Sequence, residues 1–196
     1  DLVEGVMLRA ALLVADRARP GSFLLEYGYL YRRYAFVARD TRQVGYGRYS
    51  GFSGYFPGPS LTYAASCQAP YLGTRHSAGP WSLALIYSVW LACHDVDDHL
   101  RRKDEYPPGS GRRAEGKMAE GQARGFLWGA SLDGRWRLSA HSHLRLGAGF
   151  VAMHATGSQR QWYYFADGST APVAESMPLL LEGREWSLWA GVEAEL

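Results

Sequence analysis

The sequence predicts an all-β protein whose strands form an antiparallel transmembrane β-barrel, built as a single domain over residues 1–196. Three observations favour this class. Long stretches alternate between apolar and other residues, short and long connections follow one another in turn, and aromatic residues make up 14% of the chain. Strands that alternate between a lipid face and a lumen face raise the average hydropathy little, and the mean hydropathy here is −0.25.

The composition argues against several other classes. Lys and Arg number 21 against 19 Asp and Glu, so the net charge of +2 gives no indication of nucleic-acid binding. The chain has no run of about 18 apolar residues, so a transmembrane helix is not expected. A hydrophobic content of 47% is too high for a disordered chain. The two cysteines can form at most one bridge, which excludes a disulfide-rich scaffold.

The clearest alternation runs from Trp81 to Cys93, where every odd position is apolar and the even positions are small or mixed. This period of two predicts one long strand. Cys93 falls on its apolar face, so we expect a buried or lipid-facing thiol there. The odd positions expected to face lipid include Leu83, Leu85, Tyr87, Val89 and Leu91. Aromatic girdles at the membrane surfaces are expected to include some of Trp81, Trp90, Trp162 and Tyr163.

The same reading along the chain predicts seven strands, at Glu4–Ala15, Phe23–Arg39, Leu61–Thr74, Trp81–Cys93, Gln122–Leu138, Leu144–His154 and Glu185–Leu196. Short connections are expected at Ala15–Gly21, Arg75–Pro80 and Ser139–His143, and long ones at Asp40–Pro59, His94–Lys117 and Ala155–Gly183. Short turns on one side and long loops on the other are typical of outer-membrane barrels. Asp133-Gly134 is also typical of a tight hairpin turn, although Phe126–Leu138 fits one long strand.

An odd number of strands conflicts with the even number found in bacterial single-chain barrels. A seven-stranded sheet has two unpaired edges, and lipid offers no water to satisfy the backbone groups along them. We therefore expect an odd number of further strands, encoded before Asp1 or supplied by another chain.

One cluster of ionisable residues follows the predicted Trp81–Cys93 strand, with the sequence His-Asp-Val-Asp-Asp-His from His94 to His99. Alternate side chains of an extended backbone project the same way, so Asp95, Asp97 and His99 share one face. A carboxylate beside an imidazole fixes its tautomer and raises its basicity, as a general base near neutral pH requires. The alternative interpretation is a solvated acidic loop tip, and the residues alone leave both open.

The sequence predicts no metal site and no cofactor. If a calcium loop began at Asp95, its sixth position would not be Gly and its twelfth would be Tyr106 in place of Glu. His94 and His99 have a spacing that suits neither a helical pair of ligands nor one face of a strand. The chain has no Gly-x-Ser-x-Gly motif, and neither cysteine has the surroundings of a nucleophile.

Several segments, taken in order, resemble the omptins, a family of outer-membrane endopeptidases. Trp90–His99 resembles the family's strand that runs into Asp-Asn-Asp-Glu-His, and Ala69–Gly73 resembles its Met-Pro-Tyr-Ile-Gly strand. The β-strand around Gly28-Tyr29 and Arg33-Tyr34 and the closing stretch Ser187–Leu196 resemble two more of its strands. The resemblance spans nearly the whole chain and implies the last seven strands of a ten-stranded barrel.

The resemblance also implies a function, namely cleavage of peptides next to basic residues. His99 would be the base that activates water, Asp97 its orienting partner, and Asp95 the floor of the pocket that accepts Arg or Lys. The family uses a second pair of aspartates, which would precede Asp1. The expected location is the outer membrane, with the site loops outside the cell.

The resemblance further implies contact with lipopolysaccharide, which would be needed for activity. Tyr29 and Arg33 match lipid A-binding positions of the family, while Tyr31 stands in place of a Glu and Cys67 in place of an Arg. The expected partners are thus a peptide or protein substrate and outer-membrane lipid, with no nucleic acid. The alternative function is a catalytically inactive barrel that acts as a scaffold, an adhesin or a subunit of an envelope complex.

Overall fold

The structure is a computed structural model that describes residues 2–13, 22–44, 51, 53–100, 106–107 and 109–194. These residues form seven β-strands, and no helix among them is long and apolar enough to cross a membrane. The strands are β1 (Leu2–Leu13), β2 (Ser22–Val44), β3 (Ser53–Ala78), β4 (Trp81–His99), β5 (Gly116–Arg137), β6 (Ser142–Tyr164) and β7 (Thr170–Ala194).

The strands form one sheet in chain order, and each is antiparallel to its neighbours. The prediction of an antiparallel all-β wall is therefore confirmed. Within the described ranges β1 and β7 each pair on one side only, so this part of the sheet is open. The sheet is nevertheless strongly curled. The curl brings Arg32 of β2 and Glu185 of β7 together across the concave side, where they form an ion pair at 3.1 Å.

Short connections lie at one end of the sheet, which we call the turn end. Gly79 and Pro80 link β3 to β4, and Gly79 has the left-handed φ of 57° that a tight turn between strands favours. Residues 138–141 link β5 to β6, where the N–H of Leu138 donates to the carbonyl of Ser142 at 2.9 Å. The predicted turn at Ala15–Gly21 lies outside the described residues. The opposite end carries the other three connections, and we call it the loop end.

The strands continue much further toward the loop end than the sequence predicted, and the three long loops were predicted too long. The connections there are 45–52, 100–115 and 165–169, and the last is a turn in which Gly168, with a φ of 78°, donates its N–H to the carbonyl of Phe165 at 2.9 Å. The hairpin considered at Asp133-Gly134 is also wrong, because both residues lie within β5. Beyond the lipid a strand needs no apolar face, so its backbone ladder continues while the sequence alternation fades.

The convex face carries a band of exposed apolar side chains on the half of the sheet nearer the turn end. Its aromatic members include Trp81 and Trp90, as predicted for the girdles. Tyr163 lies outside this band and packs on Tyr106 at a centroid distance of 5.4 Å at the loop end, and Trp162 lies near the same end of β6. The exposed band includes Phe23, Leu25, Tyr27, Leu72, Leu83, Leu85, Tyr87, Val89, Trp128, Leu132, Leu146, Trp186, Leu188 and Val192.

A β-bulge in β4 reverses the alternation of that strand, so that odd positions face outward before the bulge and inward after it. Val89 and Trp90 together lie opposite the single residue Phe126 of β5, and the register with β3 shifts at the same height. Ser88 accepts a hydrogen bond from the N–H of Trp90 at 3.0 Å, which closes the bulge. Below the bulge the odd positions face outward as predicted, but Leu91 is 1% exposed and faces inward, as does Cys93.

The concave side is filled in layers from the turn end upward. The lowest layer is polar, with Arg75 between the carboxylates of Glu26 at 2.6 Å and Asp133 at 3.4 Å, and Trp189 donating to Asp133 at 3.0 Å. Above it lies an apolar layer of fully buried side chains, among them Leu30, Tyr71, Leu91 and Leu127. The Cys67–Cys93 disulfide lies next to this layer, with the two Cα atoms 4.1 Å apart. The buried or lipid-facing thiol expected at Cys93 is therefore wrong, because Cys93 is bonded to Cys67.

The apolar band can be tested by placing a charge in it. Leu85 and Val37 both face outward with similar exposure, 51% and 48%, but Leu85 lies within the band and Val37 lies close to the loop end. Leu85→Arg should lower the free energy of unfolding in lipid by about 2–4 kcal/mol, the range for Arg near the bilayer midplane. Val37→Arg should change it little, and urea titration in vesicles compares the two. Equal losses would place the membrane elsewhere on the sheet.

Candidate functional site

The cluster singled out in the sequence lies in strand β4 itself, above the bulge, and not in a loop as predicted. Asp95, Asp97 and His99 all occupy the face that β4 turns toward the concave side. They share this face with Cys93 and Leu91, which the bulge has also turned inward. The sequence prediction that the three residues share one face agrees with the strand. The bulge determines that this face is the interior and not the lipid.

Asp97 and His99 form the central contact of the candidate site. The Oδ2 atom of Asp97 lies 3.1 Å from Nε2 of His99, and both side chains are half-buried. A carboxylate at this nitrogen favours the tautomer that carries the proton on Nε2, which leaves the lone pair on Nδ1. The pair can therefore orient an imidazole to accept a proton.

Asp95 is the most enclosed carboxylate of the cluster, with 3% of its surface exposed. Its Oδ1 atom has no hydrogen-bond partner among the described residues. Gly121 of β5 lies directly beside this oxygen, and no Cβ atom would fit there between Asp95 and Leu179. Burial raises the pKa of Asp95 above its usual value, His94 acts in the opposite direction, and the charge of Asp97 adds to the increase. An enclosed carboxylate without a partner is suited to bind a cation.

Tyr63 of β3 belongs to the same region, and the sequence reading did not identify it. It is the cross-strand partner of Asp97, and its ring stacks on Phe36 at a centroid distance of 5.2 Å. Burial, together with the charges of Asp95 and Asp97, raises the pKa of Tyr63 to about 12. Its hydroxyl therefore stays protonated beside the carboxylates. A predicted β4 that ran beyond Cys93 and was paired in register with β3 would have identified it.

The other residues of the cluster point to the opposite face of β4. Nε2 of His94 lies 2.9 Å from Glu120, and Asp98 accepts a hydrogen bond from the hydroxyl of Tyr164 at 3.0 Å. Alternation along the strand thus separates the six residues into an inner set and an outer set. In the part of the chain that the structure describes, no three His, Cys, Asp or Glu side chains are grouped so that they could hold a metal ion.

The two residues matched to lipid A binding, Tyr29 and Arg33, lie on the outward face of β2. The hydroxyl of Tyr29 donates to Oε1 of Gln68 on the neighbouring strand. Cys67, which was matched to an Arg of that surface, faces inward and is bonded to Cys93. Ser66 and Gln68 are the outward residues at that height of β3.

Comparisons with known proteins establish the fold. No family model and no curated protein sequence matches the chain. Among solved structures, the chain matches the crystal structure of the outer membrane protease OmpT from Escherichia coli with a TM-score of 0.73 and 16% sequence identity. The match covers 99% of this chain and 64% of OmpT, so the chain spans less than two thirds of that barrel. The seven strands therefore have the fold of part of an omptin-type outer-membrane β-barrel.

Proposed function

We propose that this protein is an outer-membrane endopeptidase that cleaves peptides next to an Arg or Lys side chain, with the loop end facing outside the cell. The observation that carries the proposal is the Asp97–His99 contact at 3.1 Å, placed on the inner wall beside the enclosed carboxylate of Asp95. The fold adds support, because the structurally similar OmpT is an outer membrane protease. If the same residues lay in a solvated loop, Asp95 would not be enclosed and the ring of His99 would have no fixed orientation.

In the proposed reaction His99 acts as the general base. Its unprotonated ring nitrogen takes a proton from a water molecule, and that water attacks the carbonyl carbon of the scissile peptide bond. Asp97 orients the ring and stabilises the imidazolium that forms. The same imidazolium then returns the proton to the leaving amine, so the base is regenerated. A second aspartate pair before Asp1, as in the omptins, would hold the water from the opposite wall.

Asp95 is proposed to recognise the basic side chain of the substrate. Its Oδ1 atom lacks a partner among the described residues, and a guanidinium or ammonium group would supply both hydrogen bonds and the compensating charge. Tyr63 and Phe36 add an aromatic surface on the adjoining strands, against which the aliphatic part of the side chain can pack. No metal or other cofactor takes part in this proposal.

Asp95→Asn should change the choice of substrate more than the rate of the chemical step. We expect the preference for Arg over norleucine at the cleavage position to fall by about 10–100-fold in kcat/KM, the loss typical of one charged hydrogen-bonding partner. Cleavage of the norleucine peptide should change little. Asp98→Asn is the matched control, because it removes the same charge three residues further along β4, on the opposite face. Retention of the Arg preference in Asp95→Asn would contradict the assignment.

The same residue predicts a pH dependence of the specificity. Because the pKa of Asp95 is raised in the folded protein, its carboxylate is neutralised at a higher pH than an ordinary Asp. The preference for Arg should therefore weaken as the pH falls through this raised pKa, while the preference in Asp95→Asn should not depend on pH.

The outer surface of β2 is proposed to contact lipopolysaccharide through Tyr29 and Arg33, as the resemblance to the omptins implies. The orientation of β2 supports this, since both side chains face outward, Tyr29 at the upper edge of the apolar band and Arg33 beyond it toward the loop end. Cationic and aromatic side chains at that level suit the phosphate groups and acyl chains of such a lipid.

A further inference from the structure

The register of β4 decides whether the candidate site exists. Above the bulge, Asp95, Asp97 and His99 face inward only because β4 contains one residue more than its neighbours between Ser88 and Leu91. If that extra residue were absorbed by a shift of one position, every side chain above it would change face. His94, Val96 and Asp98 would then face the interior, and the Asp97–His99 pair would face outward.

The pairing of β4 with both neighbours is interrupted at the height of the bulge, and regular pairing resumes above it. On the β3 side the regular pairing stops between Gln68 and Leu72, and on the β5 side it stops between Ser88 and Leu91. The upper part of β4 is thus connected to the lower part through a stretch in which the ladder is interrupted on both sides. The hydrogen bond from Trp90 to Ser88 is internal to β4 and does not fix it to either neighbour.

The disulfide is placed where it can fix the register. Cys93 lies just above the bulge and two residues below Asp95, and Cys67 is its direct cross-strand partner. Both sulfur atoms are on the interior side, and both residues are buried. In the shifted register Cys93 would face outward while Cys67 still faced inward, so a bond between them is compatible with only one arrangement.

We propose that the Cys67–Cys93 disulfide is a positioning element that holds Asp95, Asp97 and His99 on the interior face, and that its reduction lowers the competent fraction of the site. This inference rests on the proposed function for its catalytic consequence but not for its structural one. The outer membrane adjoins an oxidising compartment, in which such a bond forms and persists. Reduction by a dithiol breaks the sulfur–sulfur bond, and two electrons and two protons pass to Cys67 and Cys93 while the dithiol becomes a cyclic disulfide.

The test measures backbone amide exchange in the full-length protein in detergent micelles. The oxidised parent is compared with the parent reduced by dithiothreitol and with the double variant Cys67→Ala/Cys93→Ala. Amides of residues 93–99 should exchange about tenfold faster or more once the bond is absent, because this segment opens locally. Amides of β5 and β6 below the site should keep their rates. Reoxidation should restore the parent, and dithiothreitol should have no effect on the double variant.

Peptide cleavage provides the second measurement. A smaller competent fraction should lower kcat by about tenfold or more, with a smaller change in KM. Unchanged exchange in residues 93–99 would overturn the proposal, and so would an equal increase across the whole barrel, which indicates a general loss of stability. If the oxidised parent cleaves no peptide, the proposed function fails, while the exchange rates still decide whether the bond positions this strand.

Discussion

His99→Ala in the full-length protein should lower kcat/KM for an Arg-containing peptide by about 10²–10⁴-fold, the usual contribution of a positioned general base. The imidazole is the group in the pair with Asp97 that can take a proton from water near neutral pH, and alanine offers no substitute. The loss should appear mainly in kcat, because His99 is proposed to act in the chemical step and not in binding. Hydrolysis of a fluorogenic peptide over a range of substrate concentrations gives both constants.

His94→Ala provides the matched control for this experiment. His94 lies five residues earlier on the same strand, but it faces outward and contacts Glu120 at 2.9 Å. Its loss should leave kcat within about twofold of the parent, since a residue that touches no reacting group contributes no transition-state stabilisation. If His99→Ala cleaves as fast as the parent, the assignment of hydrolysis to this site is wrong, and the scaffold or adhesin alternative becomes the better interpretation.

Arg75→Met should lower the free energy of unfolding by about 3–5 kcal/mol, which is the usual penalty for removing one partner of a buried charge pair. Arg75 is 17% exposed and contacts Glu26, which is 5% exposed, at 2.6 Å. It also contacts Asp133, which is 15% exposed, at 3.4 Å. Without the guanidinium, both carboxylates remain in the interior with less compensating charge. Urea unfolding followed by tryptophan fluorescence in micelles measures the change.

Arg135→Met is the control for the buried network. Arg135 contacts Glu193 at 3.2 Å, but the two side chains are 45% and 43% exposed, so the expected loss is about 0–1 kcal/mol. The double variant Arg75→Met/Glu26→Gln should recover part of the stability lost in Arg75→Met, because it also removes one uncompensated carboxylate. Similar losses in Arg75→Met and Arg135→Met would show that water screens the lower layer as well as the surface.

The strand segments that face lipid were predictable from sequence, and the segments of the same strands that continue beyond the lipid were not. Leu83, Leu85 and Tyr87 alternate with smaller residues because one side of the strand meets hydrocarbon, and the structure confirms their orientation. The stretch Ala155–Gly183 was predicted as a loop. In the structure it contains the last part of β6, a five-residue turn and the first part of β7. Both faces of those strand ends meet polar surroundings, so period alone does not distinguish them from a loop.

The site was partly predictable for a related reason. The shared face of Asp95, Asp97 and His99 follows from local backbone geometry and needs no knowledge of the neighbouring strands. Its inward direction depends on the bulge, and a bulge changes the phase of alternation without a distinctive residue pattern. The disulfide and the position of Tyr63 opposite Asp97 depend on the register between β3 and β4. Register is a property of two distant segments, and neither segment shows it alone.

The layered interior has a consequence for how any reactant reaches the inner wall. The polar layer around Arg75 and the apolar layer above it occupy the concave side between the turn end and the candidate site. Along the described strands, therefore, a peptide cannot be threaded from one side of the membrane to the other past His99. In the described part of the wall, the candidate site is thus open toward the loop end and separated from the turn end by these two layers. Under the proposed function, a membrane-impermeant inhibitor should accordingly block peptide cleavage when added to intact cells and have no effect when confined to the inner side of the bilayer.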